Sequence, residues 1–437
     1  MKKILFTLAV VLAGFNFQSC SLHEDNDVFG SSAAERIDEA VQADRELLES
    51  ASNGWILRYY TGQNYSGGGH TFLCKFKDGK ATVAADITSD PSATSHSSYN
   101  IVKEAGPVLT FDTFNEIMHE LASPSQSDID GEQGDYEFRI QKTTNDSIYL
   151  EGRKWGNKMV MVRMPEGQDW AEYLSKITET DRAISYNNKV MVGNDSIGYA
   201  AVDYEGRRVS FEIDGTTKDV AYYATPEGIH LQSPVTVNGK QLSDLAFNAQ
   251  ADQLTDAKAD GVTLAGFKPA GYKPIEFWEG NWQLVYQVAA SDGQPSGQYS
   301  AYSLTLEESS ANYLMGHVTV NGRTFDMYFE FDRHYGSVAF INQYIEDPTG
   351  TYSWLMCAPV CFKEGGYFNF KGKLIAKWNE AENRAYFEWD KVGTYAVDSF
   401  VFLAANAQGS PEYDENGQLI SMGQIAYVAG LQRPQGN

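Results

Sequence analysis

The sequence predicts a mainly β, α+β fold: two β-rich units with a few helices, the C-terminal one a closed barrel or sandwich. Three observations carry this. Apolar and polar residues alternate with period two in many short runs, such as Trp55-Ile-Leu57-Arg-Tyr59 and Phe72-Leu-Cys74-Lys-Phe76. Turn pairs such as Asp214-Gly215 and Asn238-Gly239 punctuate those runs at hairpin spacing. A Gly-, Lys- and Pro-rich stretch from Gly261 to Pro274 separates two such series.

Taken in order, Lys2 and Lys3 precede an apolar run from Ile4 to Phe17, followed by Gln18-Ser19-Cys20. The run falls short of the roughly 20 residues of a spanning helix and reads as a secretory signal. A small residue before Cys20 resembles the lipobox of a bacterial lipoprotein. That resemblance implies a signal peptide over 1–19 and a lipid on the Cys20 sulfur. Glu24, Asp25, Asn26 and Asp27 follow, within a lipidated and acidic tether over 20–32. They resemble the surface-export signal of Bacteroidetes lipoproteins, against the plainer reading of a solvated polar tether. The expectation is an outer-membrane, lipid-anchored protein facing the cell exterior.

An N-terminal β-rich domain with three helices is expected over 33–260. Ser32-Ala-Ala-Glu35 fits a capping box opening the first helix, with Asn53-Gly54 as its stop. Thr113-Phe-Asn-Glu116 fits a second box, with Phe114, Ile117, Met118 and Leu121 at helical spacing. Asp169 caps a third helix whose stripe is Trp170, Tyr173, Leu174 and Ile177. Beyond the 261–274 linker, a C-terminal all-β domain is expected over 275–437, with strands near 299–307, 312–320, 323–331, 336–341, 366–378, 384–390 and 395–403. Gly54-Trp55-Ile-Leu57-Arg-Tyr59 and Gly280-Asn-Trp282-Gln-Leu284-Val-Tyr286 share Trp-x-Leu-x-Tyr after a Gly. The Gly-x-Trp of the second resembles the first strand of lipocalin-type barrels, which implies that Trp282 closes the barrel floor.

A longer resemblance rests on Gly106-Pro-Val-Leu-Thr-Phe111-Asp-Thr-Phe-Asn115-Glu-Ile-Met-His119 and Gly134-Asp-Tyr-Glu-Phe138. Asn53-Gly54-Trp55 and Ala224-Thr-Pro-Glu-Gly228-Ile-His-Leu231 accompany them. These segments resemble an uncharacterised Bacteroides lipoprotein family, a domain of unknown function. The resemblance implies an anchored envelope protein encoded beside outer-membrane uptake systems of the starch-utilisation type. It brings no catalytic residues with it.

Charge and motifs exclude several chemistries. The 437 residues hold 34 Lys and Arg against 58 Asp and Glu, a net charge of −24. That balance opposes a nucleic-acid partner, because phosphate affinity rests on clustered cations. It also disfavours acidic polysaccharides, since like charges repel. His119-Glu120 lacks the second His of a zinc-protease helix, and Gly67-Gly68-Gly69 lacks the Lys of a phosphate loop. The acidic loop Asp128-Ile-Asp130-Gly131-Glu132-Gln-Gly134-Asp135 lacks the ligand spacing of an EF-hand, so a solvated turn is the better reading. With Cys20 lipidated, Cys74, Cys357 and Cys361 remain. Cys357 and Cys361 would stand about 13 Å apart in a strand, beyond disulfide reach unless Pro359 bends the chain. No cofactor or metal is expected.

Aromatics are the remaining handle, 13% of residues with 26 Tyr. Tyr344, a turn at Asp347-Pro-Thr-Gly350, Tyr352 and Trp354 outline an aromatic-edged hairpin, and Tyr65 clusters with Tyr59 and Tyr60 beside the Gly67 loop. Such residues serve recognition surfaces, while the plainer reading is cross-strand pairing. Three functions compete. One is a non-enzymatic accessory that captures an oligosaccharide or peptide for an outer-membrane importer. The others are a structural or adhesive surface protein and, less favoured, a secreted hydrolase without a local motif.

Overall fold

Period-two runs close into three barrels where the sequence suggests two β units. The computed structural model describes residues 32–124, 129–310, 312–320 and 322–434. Cys20, Glu24, Asp25, Asn26 and Asp27 lie outside the described residues, as does Asp128 of the acidic loop. Among the described residues are four helices: α1 (Ala33–Glu49), α2 (Glu116–Glu120), α3 (Trp170–Ala183) and α4 (Ile275–Trp278). None of them is long and apolar enough to cross a membrane. The strands form three closed, eight-stranded antiparallel barrels and one open five-stranded sheet. Two compact units divide the chain between Ile177 and Thr178, the first barrel in one and the other two barrels in the second.

The first barrel runs in sequence order from Trp55–Tyr60 to Lys158–Arg163. Eight strands make a barrel just wide enough for side chains to fill. Alternation sends Trp55, Leu57, Tyr59, Phe72, Cys74 and Phe76 inward, all essentially fully buried. Cys74, Cys357 and Cys361 are all free and buried. Desolvation pushes the Cys74 thiol well up, so it behaves as a small hydrophobe.

The helix signals hold unevenly. The Ser32 box is present in both directions: Glu35 N–H donates to Ser32 Oγ at 3.2 Å, and Ser32 N–H to Glu35 Oε2 at 2.8 Å. Asp169 Oδ1 accepts from Glu172 N–H at 2.9 Å at the start of α3. At α2 the cap shifts. Asn115 Oδ1 accepts from Met118 N–H at 2.9 Å, while Thr113 Oγ1 accepts from Ser98 N–H in a neighbouring strand. Phe114, outside the helix, is 67% exposed. Gly54 serves strand entry instead of ending α1: its φ is +83° and a Cβ would meet the Cys74 carbonyl oxygen at 2.6 Å.

The second barrel spans Asn187–Val192 to Val262–Gly266. Its hairpins use the turns expected: Asp214 and Gly215, and Asn238 and Gly239, all lie at positive φ as a type I′ turn requires. The expected single domain over 33–260 is therefore two barrels. In chain order α3 falls between their strands, and no compositional gap marks the boundary. The 261–274 linker also begins too early, because Val262–Gly266 is the closing strand and pairs Leu264 with Val190.

The third barrel begins at Gly280–Ala289 and closes through Val428–Gln432. It departs from a plain lipocalin-like meander. Gln343–Ile345, Trp354–Cys361, Tyr367–Phe368, Ser399–Ala405 and Ser421–Ile425 leave the barrel and form the open sheet. The run expected over 366–378 thus splits, with only Leu374–Asn379 in the barrel wall. One face of the sheet joins the barrel core: Phe400 stacks on Phe340 at 3.8 Å and Phe402 on Phe325 at 4.4 Å. The interior is packed with these rings, Trp278, Trp282 and Phe329.

The weak Trp-x-Leu-x-Tyr echo has a shared physical basis. Trp55 is buried under the Arg163 guanidinium, 4.7 Å from the ring centre, and donates its indole N–H to Leu48 O in α1 at 2.9 Å. Trp282 is buried under Arg433 at 3.8 Å and donates to Trp278 O in α4 at 2.6 Å. In both barrels the first strand's Trp is held by an arginine at the end of the last strand and by the preceding helix.

Candidate functional site

Four adjacent strands of the third barrel build a cleft on their outer face. In Gly280–Ala289, Trp282 and Leu284 point into the core, so Gln283, Val285 and Gln287 point out. Register carries that face sideways. Gln287 lies opposite Tyr299 and Val285 opposite Ala301. Val285 and Tyr386 each lie opposite Gly430, and Gln432 opposite Arg384. Ala301 and Gly430 put almost no side chain on this surface, and the floor between the larger residues stays open. At Gly430 the tight barrel seam demands it, since a Cβ would sit 2.1 Å from the Ala385 carbonyl oxygen.

Lys363, Asp398 and Tyr427, from loops flanking the open sheet, also line the cleft, whose volume is about 740 Å³. That is within the roughly 300–1,000 Å³ of small-molecule sites. Tyr299 is 63% exposed and accepts a hydrogen bond from the Gln287 amide at 3.0 Å. Tyr386 donates its hydroxyl to Glu382. Tyr427 is buried, its N–H donates to Ser399 Oγ at 2.8 Å and its hydroxyl to Gly293 O. Burial, then the Asp398 charge, raises its phenol above the ordinary tyrosine value. Asp398 is nearly buried and accepts from Phe362 N–H at 3.0 Å, Lys363 N–H at 3.1 Å and Ser399 Oγ at 2.7 Å. Its carboxylate is committed to shaping the turn.

The hairpin expected around Tyr344, Tyr352 and Trp354 forms, pairing Tyr344 with Met356 and Ile345 with Leu355. Parity places Tyr344 and Trp354 on one face, where they are 50% and 40% exposed. Tyr352 parts from them and packs on the core cluster. Tyr344 donates its hydroxyl to Gly409 O at 2.9 Å. Tyr65, in the first unit, meets Tyr60 edge-on at 5.4 Å, and its hydroxyl accepts from Lys158 N–H at 3.3 Å. None of the four lines the third-barrel cleft. The cleft residues escaped the sequence reading because each is an ordinary outward residue of a period-two run. Small residues at outward positions, Ala301 and Gly430, were the available signal.

The acidic loop is less solvated than its composition suggests. Asp135 is buried, accepting from Lys154 N–H at 2.7 Å and Trp155 N–H at 3.3 Å, while Asp130 pairs with Lys154 Nζ at 2.8 Å. Burial raises the Asp135 carboxyl above its ordinary value despite those donors.

Comparison with known proteins gives family without chemistry. Residues 25–249 match the model described as Domain of unknown function (DUF4302), and residues 255–403 a second domain of unknown function, DUF4987. No curated protein matches the sequence. Among solved structures, the vaccine antigen transferrin binding protein B from Haemophilus parasuis is 12% identical, with 84% of this chain and 66% of that chain covered and a TM-score of 0.15. A protein of unknown function from the DUF3598 family of Nostoc punctiforme is 12% identical, with 68% and 87% covered and a TM-score of 0.14. Scores this low define no shared fold.

Proposed function

The chain belongs to the DUF4302 family, of unknown function, and from its own residues we propose that it is a cell-surface lipoprotein that binds an oligosaccharide or peptide without turnover. The observation that carries this is the third-barrel cleft, large enough for a small ligand and lined by tyrosines, amides and charged groups. Binding, as opposed to hydrolysis, is favoured by Asp398: among the described lining residues it is the one carboxylate, and its oxygens are occupied by two backbone amides and a hydroxyl. Anchoring rests on the Lys2-Lys3 signal, Ser19-Cys20 and the acidic Glu24 to Asp27 segment. An importer component is the natural partner for a captured ligand.

The test is a screen of oligosaccharides and peptides against protein lacking residues 1–20, read by calorimetry. Saturable binding lost in Tyr299→Ala supports the role. Product release abolished by a single carboxylate or histidine substitution overturns it. An adhesive role is the second reading, favoured by exposed Tyr344, Trp354 and Tyr367 on the open sheet.

A further inference from the structure

We propose that the third-barrel cleft selects an acidic oligosaccharide, one whose sugar rings carry carboxylate or sulfate groups; this rests on the binding role above and specifies its ligand. The overall charge points the other way, and the local arrangement reverses it. Residues 275–437 carry 19 Asp and Glu against 9 Lys and Arg. A patch of that region taken at random would be acidic. The lining of the cleft instead brings Lys363 and Arg384 together with one carboxylate, Asp398. That carboxylate is withdrawn from solvent and already accepts three hydrogen bonds within its own turn. The exposed charged side chains of the lining are therefore the two cations, with the carboxylates of Glu382 and Asp292 at its edge.

Both cations are exposed. Among the described contacts, Lys363 engages the fold through its backbone N–H, and no ion pair of its ammonium is found. Arg384 is exposed; its Nε lies 3.8 Å from Glu382 and its guanidinium 5.9 Å over the Tyr386 ring, so a ligand anion would compete with one long ion pair. Glu382 stands outside the lining and is also the acceptor for Tyr386. An anion drawn into an acidic surface needs this kind of local sign inversion, because exposed charges beyond about 10 Å are screened at ordinary salt.

The remaining lining suits a sugar better than a bare anion. Tyr299 is an exposed ring at the rim, and Tyr386 stands across the floor. Gln287 and Gln432 present amides, which can donate to and accept from hydroxyls. Gly430 and Ala301 keep the floor flat, leaving space for a ring between the tyrosines. A sugar ring, with a C–H face for the tyrosines, hydroxyls for the amides and an anionic group for the cations, meets each of these features with a matching one.

The experiment titrates full-length protein in detergent with an oligogalacturonate, a sulfated heparin-derived oligosaccharide, neutral maltohexaose and a polyglutamate peptide. Binding of one or both anionic sugars is expected, with maltohexaose and polyglutamate at least roughly tenfold weaker. Arg384→Gln and Lys363→Gln should each weaken the anionic sugar by roughly tenfold, the weight of a charge-assisted hydrogen bond, and binding should fall with added salt. Tyr299→Ala should weaken sugars while leaving salt dependence intact. All three side chains are exposed, so an unchanged melting temperature certifies the fold. Equal binding of maltohexaose, equal binding of polyglutamate, or indifference to Arg384→Gln overturns the acidic-sugar inference and leaves the binding role standing. Failure of every oligosaccharide and peptide to bind removes the binding role itself.

Discussion

Single residues hold each barrel end. Trp282 combines a buried indole, a hydrogen bond to Trp278 O and the Arg433 guanidinium on its face. Arg433 in turn donates to the carbonyls of Phe277 at 2.6 Å and Glu279 at 2.9 Å. Trp282→Ala should cost about 3–5 kcal/mol, the range for a large buried aromatic, measured by denaturant unfolding. An unchanged midpoint would remove Trp282 from the core. Asp347 acts at the same scale on the aromatic hairpin. Burial works against its charge, but the N–H groups of Thr349, Thr351 and Tyr352, each at 2.9 Å, outweigh it and hold the carboxyl below its ordinary value. A depressed value stabilises the fold above the unfolded pKa of about 3.9, and that stability is lost as pH falls through the folded value. Asp347→Asn should therefore flatten the acid limb of the melting temperature below about pH 4. A variant as acid-sensitive as the parent would deny this turn its part.

Elements meet at tolerances that composition does not reveal. The closing seam of the third barrel pairs Tyr386 with Gly430, and no side chain fits between Gly430 and the Ala385 carbonyl. Gly430→Ala should cost about 1–3 kcal/mol through forced backbone shifts, detected as a lower unfolding midpoint. Wild-type stability would mean that the seam is looser than its register implies. Helix α3 ends in a comparably specific way. Asp181 is buried, 3.3 Å from the buried Arg207 guanidinium, and accepts the Tyr222 hydroxyl at 2.9 Å. Asp181→Asn removes the buried carboxylate 3.3 Å from the Arg207 guanidinium, and a loss of about 3–5 kcal/mol is expected from equilibrium unfolding. A loss below about 1 kcal/mol would show that Arg207 finds water or another partner.

At the scale of the whole molecule, the second and third barrels belong to one compact unit. Arg333, just past the strand Arg323–Asp332, donates to the carbonyls of Arg182 at 2.8 Å and Ile184 at 3.1 Å, satisfying groups left open where α3 ends. Asn187 adds a bond to His334 O at 2.9 Å, and Tyr186 stacks on His334 at 5.0 Å. Calorimetry of the full chain should show these two barrels melting together, and Arg333→Ala should split that transition. Three transitions in the parent, one for each barrel, would refute the coupling. Anchoring is tested separately. Cys20→Ala should abolish incorporation of a fatty-acid analogue, because the thioether needs that sulfur, and continued labelling would exclude the lipobox reading.

Much of the fold was legible in local pattern. Alternation alone put Phe72, Cys74 and Phe76 on one face and Trp55, Leu57 and Tyr59 on another, and Asn238-Gly239 and Asp214-Gly215 marked hairpins, because side-chain period and left-handed turn geometry are short-range properties. The number of barrels was not legible. Closure depends on which strand pairs with the first, as Val262–Gly266 does with Asn187–Val192, and pairing across some 70 residues leaves no periodic trace. The candidate site was illegible for the same reason. Lys363, Arg384, Tyr299 and Gly430 are far apart in the chain and unremarkable in their runs. Register, barrel closure and a neighbouring loop bring them to one cleft, and that juxtaposition places two exposed cations together in a protein whose total charge is −24. Net charge is a sum over residues and survives any folding, whereas the field at one cleft depends on which few charges the tertiary structure leaves exposed there.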